Sequence, residues 1–237
     1  MNDTRRPRWP RRSFLAKAGA GAAAVGAGIA GNPSAFAAQS ASQDGAEFQP
    51  ARHAQDDWLD QIKGKHRFFL DTITVNGLGE AIFYANNYYT ANKSGYGLDG
   101  ADLAVVICMR HQSTVFAFSD LMWEKYGKGL AERAKITDPK TSQPPVLNLY
   151  RASGYAGALS NNGVTLDAII KNGAHFAVCQ LATRASAGVI ARQTGRPVDE
   201  IYQELVANLV PNAHMVPAGI VAVNRAQERG YAFGYVG

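Results

Sequence analysis

The 237-residue chain has little of what most recognisable function classes require. It has two cysteines, Cys108 and Cys179. That excludes a disulfide scaffold and any cysteine-rich zinc or iron–sulfur site. It has no HExxH, GxSxG, CxxCH or Walker pattern. Gly77-Leu78-Gly79 lacks the third glycine of a dinucleotide loop and reads as a turn. Past the N-terminus, no apolar run approaches the roughly 20 residues of a membrane span. Charged residues make up only 18%. The net charge of +5 is local. Six of the 24 basic groups but one of the 19 acids lie in residues 1–37, which leaves 18 of each elsewhere. The body is therefore neutral, which argues against nucleic-acid binding, because that needs clustered Lys and Arg in the folded part.

What is present begins with an address. Arg11-Arg12-Ser13-Phe14-Leu15-Ala16-Lys17 resembles a twin-arginine export signal. A mildly apolar Ala/Gly stretch follows from Ala18 to Ala30, then the small-x-small sequence Ala35-Phe36-Ala37. Residues 1–37 are expected to be a cleaved signal peptide. The mature protein would be periplasmic or secreted, without an integral membrane anchor. Residues 38–62 are polar and aperiodic and read as a linker, in which Trp58, Leu59 and Ile62 can form a short helix that docks on the domain.

Residues 63–237 alternate between strand and helix patterns. Strands are expected at 68–75, 103–108, 174–179, 214–216 and 231–236. Helices are expected at 79–92, 113–126, 166–171, 181–193, from Pro197 onward, and at 217–229. Asn76-Gly77 reads as a turn. Leu103–Cys108 is unbroken apolar, as a strand covered on both faces must be. Residues 127–162, rich in Pro, Gly and Ser, read as a long irregular insertion with a short strand at 146–150. The alternation predicts a three-layer α/β domain with a mostly parallel sheet of about five strands.

Two residues stand out as chemistry. Cys179 ends a predicted strand and precedes a helix, at the sheet edge where ligands bind in open α/β folds. A helix N-terminus stabilises a thiolate, and Arg184 lies one turn on. The competing reading is a buried, inert cysteine. His111 follows the Leu103–Cys108 strand, so parallel strands would bring it to the same edge. There it could take a proton from a thiol or bind a metal; otherwise it is a loop histidine. Cys179 and one histidine name too few ligands for a structural zinc site, so no metal and no cofactor are assigned. Arg110 is either an anion contact or solvated. Cys108 reads as packing. A Cys108–Cys179 disulfide would need Cα atoms roughly 5.5–6 Å apart, which neighbouring strands rarely provide. His175 reads as structural and His214 is left open. His53 and His66 are assigned no role.

Three segments resemble the DsrE/DsrF-like family, which includes sulfur-relay proteins. They are Leu103–Cys108, Asn172–Cys179, and Val216–Ile220 taken with Gln227–Ala232. Asn86-Asn87 also fits the family's first helix. The resemblance spans roughly residues 66–237. It implies a compact α/β domain assembled as a homotrimer or hexamer, with Cys179 in the place of a sulfur-carrying cysteine. A sulfur donor or acceptor protein would then be a partner. Export and the 127–162 insertion depart from the cytoplasmic relay members, and a tRNA-thiolation role does not transfer. Two function classes remain: sulfur handling on Cys179, and a non-catalytic oligomeric binding module in which Cys179 only packs.

Overall fold

A computed structural model describes residues 49–237. The twin arginines and the Ala-x-Ala sequence lie outside the described residues.

Five parallel strands form one sheet: β1 His66–Thr72, β2 Leu103–Met109, β3 His175–Cys179, β4 Ala213–Val216 and β5 Ala232–Val236. Their order is β4-β3-β2-β1-β5. Among the described residues seven α-helices accompany them: α1 Trp58–Gln61, α2 Val75–Tyr96, α3 Asp120–Ala134, α4 Leu166–Lys171, α5 Gln180–Thr194, α6 Val198–Ala207 and α7 Gly219–Gln227. The three-layer α/β expectation holds.

Crossover geometry sorts the helices between faces. The chain steps from β1 to β4 in one direction, then reverses to place β5 beyond β1. Crossovers share one hand, so a reversal of direction requires the opposite face. Accordingly, residues of α2 through α6 pack with Leu70, Val105, Ile107, Phe176 and Val178 in the larger core. On the other face α7 and α1 pack with Phe69, Val106, Cys108, Ala177 and Val216. The alternation of side chains along each strand feeds both cores. β2 is buried at all seven positions, as its unbroken apolar run requires.

Local expectations fail in three places, each for a packing reason. Asn76-Gly77 is not a turn: α2 begins at Val75, and the Thr74 hydroxyl caps it by accepting from the Gly77 N–H at 2.9 Å. Gly77 serves close approach, since a Cβ there would lie 2.5 Å from the Val236 carbonyl oxygen. The expected helix at 113–126 is a 3-10 turn, Ser113–Ala117, followed by α3, which runs on to Ala134. Gly127 and Gly129, which resemble loop residues, are helical. Side chains there would strike the Pro145 carbonyl oxygen and Ile190.

The expected strand at 146–150 is a tightly tethered loop instead. Buried Asn148 donates from its amide to the carbonyls of Phe116 and Phe118 at 2.8 and 3.0 Å. Tyr150 donates to the Val75 carbonyl at 2.7 Å. The backbone groups that a ladder would have used go elsewhere: the Asn148 N–H donates to Asp120 at 2.9 Å and the Tyr150 carbonyl accepts from the Leu166 N–H at 2.7 Å.

The segment before β1 is tied to the domain. Leu59 and Ile62 are buried, and the Tyr231 hydroxyl donates to the Leu59 carbonyl at 2.8 Å. Arg229, its side chain buried, donates from Nε to Asp60 at 3.0 Å. The short docking helix expected around Trp58 is therefore present as α1.

Candidate functional site at the carboxyl edge of the sheet

Parallel strands deliver their C-terminal ends to one edge. There, Arg110, His111, Arg133, Cys179, Leu181 and Ile220 line an open cavity of about 300 Å³. Sequence reasoning brought Cys179 and His111 together, and both line this cavity. Arg133, from the last turn of α3, carries no local signal for this site, because Gly127 and Gly129 give the segment after residue 126 the composition of a loop.

Cys179 is the N-cap residue of α5, with extended backbone before the helix begins. The buried Thr183 hydroxyl donates back to the Cys179 carbonyl at 3.0 Å and fixes this corner. Cys179 lines the cavity but is only 6% exposed. His111 is exposed, and its φ of 59° puts it in the left-handed region that few residues other than glycine adopt. The turn is held by β1: the Arg110 N–H donates to the Thr72 carbonyl and the Gln112 N–H to the Ile73 carbonyl, at 3.3 and 3.0 Å. Two adjacent strands thereby fix where His111 stands.

Arg110 is neither a free anion contact nor simply solvated. Its Nε and a terminal nitrogen each donate at 2.8 Å to the two oxygens of Asp71, whose side chain is 2% exposed. The bidentate pair fixes the guanidinium plane. The hydrogen bond to Asp71 raises the Arg110 pKa, keeping it charged. Arg184, by contrast, pairs with Asp199 at 2.9 Å and lies over the Tyr202 ring. It is not among the cavity's lining residues.

Both cysteines are free thiols. Cys108 lies two residues before Arg110, in register with Asp71. Burial, then the Asp71 charge, pushes its thiol up, with Arg110 opposing. Cys108 is thus a packing residue, as expected. Its sulfur sets a close contact with α7: a Cβ on Gly219 would lie 2.8 Å from Cys108 Sγ and 2.7 Å from Arg110 Cβ. Gly219→Ala should therefore cost about 1–3 kcal/mol by overpacking, despite the better helix propensity of Ala. Urea denaturation measures this; an unchanged midpoint would mean that α7 moves aside freely.

His175 and His214 belong to the opposite, amino edge. Their Nδ1 and Nε2 atoms lie 3.0 Å apart, and His214 stacks on Trp58 at 4.1 Å between ring centroids. Burial lowers the His175 pKa, and burial with the neighbouring His175 lowers His214 to about 4. The unfolded chain binds protons near 6.5 that the native pair refuses. Stability is then fully present above that value and falls as pH drops toward about 4. The expected loss is on the order of 1 kcal/mol, because the half-buried rings are partly screened by solvent. Urea midpoints at about pH 7.5 and pH 5 should show this slope in the native sequence and a shallower one in His214→Gln.

Among the described residues, no group of three or more His, Cys, Asp or Glu is placed to hold a metal ion. No family model matches the chain, and neither the curated proteins nor the solved structures give a match.

Proposed function

We propose that this chain is an exported, DsrE/DsrF-like sulfane-sulfur carrier, with Cys179 as the carrier and His111 as its proton acceptor. The observation that carries the reading is the cavity at the carboxyl edge. It holds a cysteine at the head of a 15-residue helix, with a histidine and two arginines in the same lining. The N-terminus of the helix and the Arg133 guanidinium in the same lining attract anionic donors. The resemblance of residues 103–108, 172–179 and 216–232 to the family supports the same residue.

In the proposed step the Cys179 thiol loses its proton to His111, and the thiolate attacks the outer sulfur of a donor persulfide. A new S–S bond forms on Cys179 as the donor's S–S bond breaks. The donor leaves as a thiolate and takes the proton from His111. A thiol and a persulfide exchange one sulfur atom, with no external oxidant. After incubation with polysulfide, intact mass should show one added sulfur that a reductant removes, and none in Cys179→Ser. A Cys179→Ser protein that still gains sulfur overturns the assignment. Export is part of the proposal, resting on residues 11–37; an Arg11→Lys/Arg12→Lys chain that still reaches the periplasm overturns that part.

A second reading, an oligomeric binding module, has its own observation. Leu181 and Ile220 stand 64% and 60% exposed at the cavity mouth. Paired apolar side chains beside a nearly buried cysteine suit a contact between copies in a closed trimer or hexamer. Light scattering that reports a monomer at micromolar concentration would remove this reading.

A further inference from the structure

The amino edge of the sheet holds a larger cavity, about 540 Å³, that the carrier reading does not use. Its lining includes Trp58 from α1, Lys63 from the loop before β1, Lys171 and Asn172 from the end of α4, and His175 and His214 from β3 and β4. Trp58 stacks on His214, and the His175 ring lies nearly in the plane of the His214 ring, edge to edge, with centroids 5.3 Å apart at 20°.

The charges around this cavity are one-sided. Among the described residues, no Asp or Glu lines it. Of the acids on the elements packed around it, all but Asp102 are paired with cations. On α1, Asp60 pairs with Arg229 and Arg67, and Asp57, just before it, pairs with Arg229. Asp102 accepts from the Asp99 N–H, and Asp99 pairs with Lys93. On α4, Asp167 pairs with Arg151. On α7, Arg225 pairs with Glu228 and Asp56. Lys63 and Lys171 are left as the cavity's own charges. Two ammonium groups and no carboxylate disfavour a metal cation and favour an anion.

The histidine pair adds a proton. Two neutral imidazoles carry two N–H protons in all. With Nδ1 of His175 hydrogen-bonded to Nε2 of His214, one proton lies between the rings. Whichever ring donates, the two outer nitrogens then present one N–H and one lone pair. A single added proton converts them to two donors with a positive charge and leaves the shared bond intact. A second would break it. An anion in the cavity favours that singly protonated state, as any opposite charge does.

We propose that this cavity binds a small anion, a carboxylate or an inorganic oxyanion, and that binding draws one proton onto the His175–His214 pair. The proposal is independent of the Cys179 chemistry at the opposite edge. Titration calorimetry of the purified chain with sulfate and with benzoate tests it, neither probe titrating between about pH 6 and pH 7.5. At least one should bind saturably, about tenfold more tightly at the lower pH, with proton uptake revealed by buffers of different ionisation heat. Which of the two binds identifies the source, oxyanion or carboxylate. Lys63→Ala/Lys171→Ala, two exposed positions whose loss leaves the fold intact, should weaken binding at least about tenfold. His214→Gln, which leaves only the His175 ring to take a proton, should weaken the pH dependence while retaining binding near pH 7.5. Absence of saturable binding by both probes overturns the proposal, as does binding that is indifferent to the lysines or releases no buffer proton.

Discussion

Trp123→Ala should destabilise the protein by about 3–5 kcal/mol, the largest single loss expected from the core. Trp123 is fully buried, with its ring 5.4 Å from that of Phe116. It lies where α3 meets the 3-10 turn that follows β2. Truncation removes the whole ring from a packed region that cannot collapse onto it. For a domain of this size that loss lowers the melting temperature by roughly 10 °C. Trp123→Phe supplies the contrast. The indole Nε1 is buried without a hydrogen-bond partner among the described residues. Replacing it by a smaller ring therefore breaks no bond, and the expected cost, that of the smaller cavity alone, is well below that of Trp123→Ala. Equal costs for the two changes would mean that the indole nitrogen has a partner, such as a buried water. A small cost for Ala would mean that the region repacks.

The second large effect is kinetic. A small alkylating agent should label Cys179 in the native protein at least about a hundredfold faster than Cys108. Cys179 lines an open cavity at the head of α5. Cys108 is fully buried in β2, and its thiol is pushed up by burial and by Asp71. Only the thiolate reacts, so both accessibility and protonation hold Cys108 back. In denaturant the two should react at similar rates. His111→Ala should slow native labelling of Cys179 if the imidazole takes its proton. Native labelling that reaches neither cysteine would show that the cavity admits no small reagent, and sulfur transfer at Cys179 would fall with it. The 6% exposure of Cys179 makes this a demanding test.

The sequence alone determined the α/β class, the approximate places of the five sheet strands and the shared edge of Cys179 and His111, but it also put a strand at 146–150 and carried the first strand on to residue 75, where the chain has a loop and a helix start. These follow from local patterns: unbroken apolar runs mark strands covered on both faces, 3.6-residue stripes mark helices, and parallel strands must send their ends to one edge. Local pattern failed where a long-range contact overrode it. Gly77, Gly127 and Gly129 resemble turn residues, yet each is helical and small because another segment passes too close for a side chain. Nothing near them in the chain records that Val236, Pro145 and Ile190 will arrive there. Asn148 shows the reverse, a buried loop held by its side chain instead of by a ladder. The tertiary structure likewise decided that Arg110 belongs to Asp71, 39 residues away, and Arg184 to Asp199. It also decided that His175 and His214, 39 residues apart and read separately, form one pair. Parallel strands join residues distant in sequence and fix their register only through the sheet. Pairing across β3 and β4 is therefore a property of the assembled fold, whereas the placement of a cysteine at a strand's end is a property of its own segment.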